Sequence, residues 1–199
     1  MSVLVLASAS PQRRAILEQI GVSFTVRPSD VEEETHGDPV AVAEENARRK
    51  AATVSALIAA ADADAAGASP RPSALTLGAD TLVALDGDIL GKPRDAAQAR
   101  EYVARLAGRT HQVVGAIALA RDGEITDTAV AITQVHFRPA TPATLDWYVA
   151  TNEWQGRAGG YAIQGLGATL VAGIEGDYLN VVGLPLATLL DLLPDLLPT

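Results

Sequence analysis

The chain has 199 residues, a formal net charge of −9 and no cysteine. A chain of this length is expected to fold as a single domain over residues 1–199. The lack of cysteine excludes thiol catalysis, Cys-ligated zinc and iron–sulfur clusters, and it fits a reducing compartment such as the cytoplasm. The acidic balance argues against a nucleic-acid partner, because binding a duplex requires a basic face.

Neither the N-terminus nor the apolar runs predict a membrane partner. No basic residues precede the short apolar run that opens the chain, so a signal peptide is not expected. No apolar stretch approaches the ~20 residues that a membrane span requires. A small phosphorylated ligand remains compatible with the charge of the chain, because a few focused cations are enough to bind it.

Strand-like and helix-like patterns alternate along the chain. The apolar run at Leu4–Leu6 predicts a strand, and apolar residues repeat at helical spacing after Pro11. The segment from Ala61 to Pro72 is rich in Ala, Asp, Gly and Pro and predicts a mobile surface connection. The other predicted elements are, in chain order, a short strand over Ser23–Val26, a long helix from Pro39 to about Ala60, strands on both sides of Gly78-Ala79-Asp80 within Leu75–Ile89 with a turn at Asp86-Gly87, a helix from Asp95 to Leu106, a hairpin over Val113–Phe137 around Asp122-Gly123, a helix from Thr141 to about Ala150, and a final helix over Leu184–Leu193.

These elements together predict the fold class. Strands that alternate with helices favour an α/β or α+β domain, and the two Asp-Gly hairpins supply antiparallel pairs. The sheet is therefore expected to be mixed and not fully parallel. No fixed-period repeat is present.

The most informative motif lies between the first strand and the first helix. Ser10 is the natural N-cap, and Pro11 suits the first helical position, where a missing N–H group costs nothing. Free N–H groups, the hydroxyls of Ser8 and Ser10 and the guanidinium of Arg13 would meet at this helix end, which favours a phosphate. The alternative is an ordinary capped helix with Arg13 and Arg14 in solvent.

Two parts of the chain supply candidate carboxylates. Asp80 lies among apolar strand residues, where a carboxylate is costly unless it is paired, hydrogen-bonded or bound to a metal. Gly78 would allow a ligand or a second backbone to approach closely. The alternative is that Asp80 ends a strand and bonds a neighbouring backbone group. One glutamate of the run Glu32–Glu34 could face inward as a second ligand for Mg²⁺, or the run is simply solvated.

Candidate cations and a candidate base-binding side chain lie farther along the chain. Lys50 belongs to the predicted long helix, and Lys92 lies between a strand and a helix, where an ammonium can meet a phosphate. Both lysines are also compatible with ordinary surface positions. The glycine-rich segment Gly159–Gly167 predicts tight turns or close approach of a ligand. Within it, Gln164 could bind the edge of a base or hold the loop together.

Six segments of the chain carry a resemblance to a known family. The chain resembles the Maf family of nucleoside triphosphate pyrophosphatases, and in particular its branch that hydrolyses dTTP and UTP. The segments occur in the order of the family and span nearly the whole chain. They are Leu6–Pro11, Ala47–Ala51, Leu77–Val83, Gly91–Pro93, Gly159–Gly167 and Asn180–Leu186.

The resemblance implies an α/β fold with a mixed twisted sheet, flanking helices and two lobes around a cleft, similar to the inosine triphosphate pyrophosphatases. It implies cleavage between the α and β phosphates of a nucleoside triphosphate, which yields the monophosphate and pyrophosphate. A divalent cation, Mg²⁺ or Mn²⁺, is the implied cofactor, and a homodimer is the implied assembly. The implied cellular role is removal of non-standard nucleotides, with a link to arrest of cell division.

The resemblance also implies roles for individual residues. The proton acceptor of the family falls on Asp80, and the dTTP/UTP branch is typified by a threonine in the place of Thr81. The family often has two arginines after the proline, whereas Gln12 stands first here, which bears on pyrimidine preference. The implied metal ligands are Glu33 and Asp80, the implied phosphate-binding residues are Ser8, Ser10, Arg13, Lys50 and Lys92, and the implied specificity residues are Gln12, Thr81 and Gln164.

A second hypothesis belongs to another functional class. Family members are linked to septum formation, so the chain could be a nucleotide-binding regulator of that process without turnover. Such a binder would be expected to have lost at least one carboxylate. Both Glu33 and Asp80 are present, which favours the enzyme.

Overall fold

The computed structural model describes residues 3–64 and 73–197, and within them the chain forms a seven-stranded mixed sheet flanked by helices. The strands are β1 (Leu4–Leu6), β2 (Phe24–Val26), β3 (Leu75–Leu85), β4 (Asp88–Leu90), β5 (Thr110–Arg121), β6 (Glu124–Phe137) and β7 (Val171–Glu175). The helices are α1 (Pro11–Gln19), α2 (Pro39–Asp64), α3 (Ala96–Leu106), α4 (Pro142–Ala150), α5 (Tyr178–Val182) and α6 (Leu186–Leu192), with short 3-10 turns at Ala158–Gly160 and Leu166–Leu170.

Strand β3 is the centre of the sheet and changes partner along one edge. The strand order is β2-β1-β3-β5-β6-β7, with β4 also paired to β3. One edge of β3 pairs with β5 over most of its length. The other edge pairs in parallel with β1 at Leu75–Leu77 and antiparallel with β4 at Val83–Leu85. No strand from residues 3–64 or 73–197 therefore pairs with residues 78–82 on that edge. Ligands of open α/β sheets bind at such points of changing strand order.

Two apolar clusters on one face of the sheet form two lobes on either side of this gap. The first lobe packs β1, α1 and α6 against the start of β3. The second lobe packs β4, α3 and α4 against its end. Helix α2 covers the opposite face, where its alanines contact the even-numbered residues of β5. The predicted arrangement of two lobes, a mixed sheet and flanking helices is confirmed.

Glycine allows α2 to lie very close to β3. A Cβ at Gly78 would overlap the backbone of α2 at Ala47 and Ala51. The sequence-based expectation that Gly78 lets a second backbone approach is therefore confirmed. This contact sets the height of α2 above the strand.

The local predictions hold where they rest on caps and turns. Ser10, Asp95 and Thr141 cap α1, α3 and α4, and each side chain accepts a hydrogen bond from the backbone three residues later. Residues 78–80 do not separate two strands, because β3 runs through them without a break. The last helix begins at Leu186 and not at Leu184, and neither β7 nor α5 was predicted. Helix α2 continues through Asp64, and the rest of the predicted mobile connection, residues 65–72, lies outside the described residues.

None of the helices in the described ranges is long and apolar enough to cross a membrane.

Candidate active site

A cleft of about 440 Å³ opens at the gap in the edge of β3. It is bounded by the loop after β1, by the loop after β4 and by the glycine-rich segment. All ten site residues predicted from the sequence line it, namely Ser8, Ser10, Gln12, Arg13, Glu33, Lys50, Asp80, Thr81, Lys92 and Gln164. The structure thus brings the whole predicted set together, while the role of each residue remains a prediction.

A buried lysine joins the two predicted metal ligands. The Nζ atom of Lys50 lies 2.7 Å from Oδ1 of Asp80 and 2.6 Å from Oε1 of Glu33. The side chain of Lys50 is only 7% exposed and that of Asp80 is 5% exposed. Lys92 is exposed and approaches the other oxygen of Glu33 at 3.2 Å. Lys50 is therefore a buried partner of two carboxylates, and the alternative of a surface lysine is wrong.

The arrangement of cations changes the acidity of Glu33. Burial alone would raise its pKa, but the ammonium groups of Lys50 and Lys92 outweigh burial and lower the pKa of Glu33 to about 2. Glu33 is thus ionised at neutral pH. The neighbouring glutamates do not enter the centre, since Glu34 pairs with Arg49 at the surface and Glu32 is exposed.

Sequence reasoning missed Asn46, one helical turn before Lys50. The Nδ2 atom of Asn46 donates to Oδ2 of Asp80 at 3.1 Å, and the residue is fully buried. Each carboxylate oxygen of Asp80 thus has one donor, Lys50 on one side and Asn46 on the other. An uncharged polar residue on the alanine-rich inner face of a helix was the available signal, because such a residue is costly unless it has partners.

The predicted phosphate loop contains a buried and fixed arginine. The guanidinium of Arg13 donates to the hydroxyl of Ser8 at 2.8 Å, to the hydroxyl of Thr81 at 3.2 Å and to the carbonyl of Gly183 at 2.8 Å. Burial lowers the pKa of Arg13, and the nearby charges of Asp80 and Glu33 oppose that shift. Arg14 instead pairs with Glu18 in solvent, so of these two neighbouring arginines it is Arg13 that lines the cleft.

Gly183 supplies an anchor that only glycine accepts readily. Its φ angle of +140° lies in a region that other residues rarely adopt. Its carbonyl oxygen accepts hydrogen bonds from both Arg13 and Thr81. The short helix α5 ends here and thereby delivers this carbonyl to the loop of Ser8.

The side chains of Asp80 and Thr81 lie on opposite faces of β3. Successive strand residues alternate between faces, so Asp80 meets α2 while Thr81 meets Arg13. The gap in the edge of β3 allows side chains from both faces of the strand to line one cleft. Ser10 donates to Oε1 of Gln12 at 3.2 Å, which places Gln12 at the mouth of the same loop.

The opposite wall of the cleft is the glycine-rich loop. Gln164 is exposed, and the described part of the chain offers its side chain no hydrogen-bond partner. The loop is held instead by Glu153, which accepts hydrogen bonds from the N–H groups of Leu166 and Gly167 at 2.8 and 2.7 Å. The hypothesis that Gln164 only holds the loop together therefore lacks support.

Arg157 is a further cleft residue that the sequence analysis did not select. It lines the cleft, and its Nε atom is buried without a hydrogen-bond partner among the described residues. Since a buried unpaired donor is costly, this guanidinium is suited to a ligand that brings an acceptor. Its place beside the 3-10 turn Ala158–Gly160 puts it on the same wall as Gln164.

The donor set of the cleft fits a hard divalent cation. The described residues contain no cluster of three or more His, Cys, Asp or Glu side chains around a single point. They do contain the two carboxylates of Glu33 and Asp80, joined through Lys50. Mg²⁺ characteristically takes one or two carboxylates and completes its shell with phosphate oxygens and water. Two carboxylates beside the predicted phosphate loop match that preference.

The family model described as "Maf-like protein" matches residues 3–196. The chain belongs to this family. A relative in Moorella thermoacetica named dTTP/UTP pyrophosphatase is 47% identical over 196 residues, which cover 97% of this chain and 94% of the relative. A relative of the same name in Symbiobacterium thermophilum is 44% identical and covers 94% of this chain and 90% of its own length.

The distant structural likeness agrees with the fold. The structure of a HAM1 protein from Coxiella burnetii matches with a TM-score of 0.52 and 17% identity. The match covers 98% of this chain and 100% of that one. The likeness supports the predicted fold and carries no argument about the substrate.

Proposed function

We propose that this Maf-like protein is a nucleoside triphosphate pyrophosphatase that hydrolyses dTTP and UTP to the monophosphate and pyrophosphate. The observation that carries the proposal is the convergence of Arg13, Lys50 and Lys92 with the carboxylates of Glu33 and Asp80 in one cleft. Two relatives that align over nearly their full length carry the name dTTP/UTP pyrophosphatase, which supports the same substrate class.

The cationic side of the cleft is proposed to bind the polyphosphate. A nucleoside triphosphate carries about four negative charges near neutral pH, so several cations must compensate it. Arg13 presents a planar guanidinium beside the hydroxyl of Ser8, and its backbone N–H group donates to the hydroxyl of Ser10. The guanidinium and both hydroxyls can donate to phosphate oxygens. Lys92 is exposed and free to turn from Glu33 towards a ligand, since it makes one ion pair at 3.2 Å.

Asp80 is proposed to accept the proton of the attacking water. Attack on the α phosphorus breaks the α–β phosphoanhydride, and pyrophosphate leaves with the bond electrons. Lys50 and Asn46 each use one acceptor position on the two oxygens of Asp80, so lone pairs remain for a water molecule. Fixed donors on both oxygens hold the carboxylate in one orientation, which a general base requires.

A divalent cation, Mg²⁺ or Mn²⁺, is proposed as the cofactor, with Glu33 and Asp80 as its protein ligands. Such an ion, when bound, would neutralise phosphate charge and polarise the reacting phosphoryl group. The nucleobase of the substrate is proposed to lie against the glycine-rich wall of the cleft. There Gln164 offers both donors and an acceptor, and Arg157 offers an unpaired donor. Thr81 and Gln12 are proposed to tune the choice of base from the side of the phosphate loop.

The test is a substrate panel with UTP, dTTP, CTP and GTP, each with Mg²⁺ or Mn²⁺ and with chelator. We expect release of pyrophosphate from UTP and dTTP, no release of single phosphate, and loss of activity with chelator. Release of inorganic phosphate as the first product would contradict cleavage at the α–β bond. Equal rates with GTP would contradict the proposed base preference.

The competing proposal is a nucleotide-binding regulator of septum formation without turnover. It is favoured if nucleotides bind tightly and no pyrophosphate is released with either metal. The retained pair of Asp80 and Glu33 argues for turnover, since binding alone has no need of a buried base. A homodimer in the cytoplasm is part of the enzyme proposal, and sedimentation of the purified protein checks the assembly.

A further inference from the structure

Asn46 contacts both of the acidic parts of the cleft at once. Its amide oxygen accepts the backbone N–H of Glu34 at 2.8 Å, and its Nδ2 atom donates to the backbone carbonyl of the same residue at 3.0 Å. The same Nδ2 atom donates to Oδ2 of Asp80 at 3.1 Å. One side chain on α2 therefore holds the loop of glutamates and the strand of Asp80.

The position of Asn46 separates it from the ligand-contacting residues. It is fully buried behind Asp80 and is not among the described residues that line the cleft. Its two bonds to Glu34 fix the backbone next to Glu33, whose carboxylate then meets Lys50. Helix α2 thus sets the spacing of Glu33 and Asp80 through two side chains one turn apart, Asn46 and Lys50.

We propose that Asn46 is a positioning residue for the hydrolysis, which orients the carboxylate of Asp80 and fixes the loop of Glu33 relative to it. This inference rests on the proposed function and adds a residue to it. Removing the amide leaves Oδ2 of Asp80 without its protein donor and releases the backbone of Glu34. A reacting group misplaced by about 1 Å can lose about 100-fold in rate.

Two substitutions separate the two contacts. Asn46→Leu keeps a similar volume and removes every polar contact. Asn46→Asp keeps an acceptor for the N–H of Glu34 but replaces the amide donor to Oδ2 of Asp80 and to the carbonyl of Glu34 with a second carboxylate, which repels Asp80. We expect kcat for UTP to fall by about 10- to 100-fold in both variants, with KM in Asn46→Asp changed by less than about threefold.

A second readout does not depend on turnover. The N–H of Glu34 is protected from hydrogen exchange by the oxygen of Asn46, so Asn46→Leu should expose it while Asn46→Asp should keep it protected. Ser55→Ala is the matched control on the same helix, because the buried hydroxyl of Ser55 accepts the N–H of Gly123 at 3.0 Å far from the cleft. It should leave both kcat and the Glu34 amide unchanged.

Three results would overturn the positioning role, and a fourth would overturn the proposed function instead. Full kcat in Asn46→Leu, or full kcat in Asn46→Asp with the Glu34 amide still protected, overturns the positioning role. A kcat in Ser55→Ala that falls as far as in Asn46→Leu also overturns it, because general loss of stability would then explain the effect. Failure of the proposed function gives a different result, namely wild-type protein that releases no pyrophosphate from any nucleotide.

Discussion

Replacing Lys50 by methionine tests the buried centre of the cleft most directly. Methionine keeps much of the volume of the lysine chain and removes its charge. The substitution leaves the carboxylate of Asp80 without its cation. Asp80 is 5% exposed, and among the described residues its side chain keeps only the hydrogen bond from Asn46. Glu33 loses less, because it is 37% exposed and retains Lys92.

The size of the effect follows from these exposures. Removing one member of a buried ion pair costs about 3–5 kcal/mol, because the partner charge stays buried without compensation. Since one of the two carboxylates that lose Lys50 is partly solvated, we expect the lower end of this range. The expected loss is about 3 kcal/mol in the free energy of unfolding at pH 7. Lys92→Met is the matched control, since Lys92 is 57% exposed and an exposed pair contributes about 0–1 kcal/mol.

The assay is urea unfolding of both variants in chelator, followed by circular dichroism and extrapolated to water. The double variant Lys50→Met/Asp80→Asn adds a further check, because it removes the stranded charge and should regain part of the lost stability. If Lys50→Met costs no more than Lys92→Met, the buried pair does not hold this part of the structure together. Lys50 then does not hold the carboxylate of Asp80 in one orientation either.

Three further predictions concern the proposed proton acceptor Asp80, the buried core and the phosphate loop. Asp80→Asn should give folded protein whose pyrophosphate release is at least ~100-fold lower, and near-normal turnover would rule out its role as proton acceptor. Burial, with a smaller contribution from the charge of His136, lowers the pKa of His111 to about 4 from 6.5. As the pH is lowered, the unfolded chain therefore binds a proton at this histidine before the folded chain does. The free energy of unfolding is unaffected by His111 above pH 6.5 and falls by about 3 kcal/mol towards pH 4. Urea unfolding of His111→Gln, compared with wild type across that range, should lack this loss. Gly183→Ala should raise KM for UTP about tenfold by displacing the carbonyl that holds Arg13, whereas Gly87→Ala, at a positive φ of +87° in a hairpin with open space around it, should cost similar stability and leave KM unchanged.

Local chemistry made much of the fold predictable. Ser10, Asp95 and Thr141 were identifiable as N-caps because their hydroxyl or carboxylate oxygens compete well for free N–H groups at helix starts. The hairpin turns at Asp86 and Asp122 were identifiable because an Asp-Gly pair favours the positive φ angles of a two-residue hairpin turn. Both aspartates adopt a positive φ in the structure. Strand β7 was missed since Gly173 lies in its centre and weakens the local strand pattern.

The cleft depended on contacts between distant residues. The partner change along β3 pairs residues 75–77 with the start of the chain and residues 83–85 with β4, and no local pattern encodes that gap. Lysine is usually solvated, so the burial of Lys50 could not be inferred without Asp80, which lies 30 residues later. The family resemblance gathered the ten cleft residues, but it did not include Asn46 or Arg157, which became visible only through their contacts.

The close contact at Gly78 has a consequence for how this centre tolerates change. The side chain of Lys50 extends from α2 to Asp80. The distance between that helix and β3 therefore decides whether the ammonium and the carboxylate meet. A single methyl group at position 78 would act as a spacer under the helix, because it would press on the backbone at Ala47 and Ala51. Because Gly78 has no side chain, α2 lies close enough to β3 for the ammonium of Lys50 to reach Asp80, and a larger residue at position 78 would weaken that ion pair without touching either charged group.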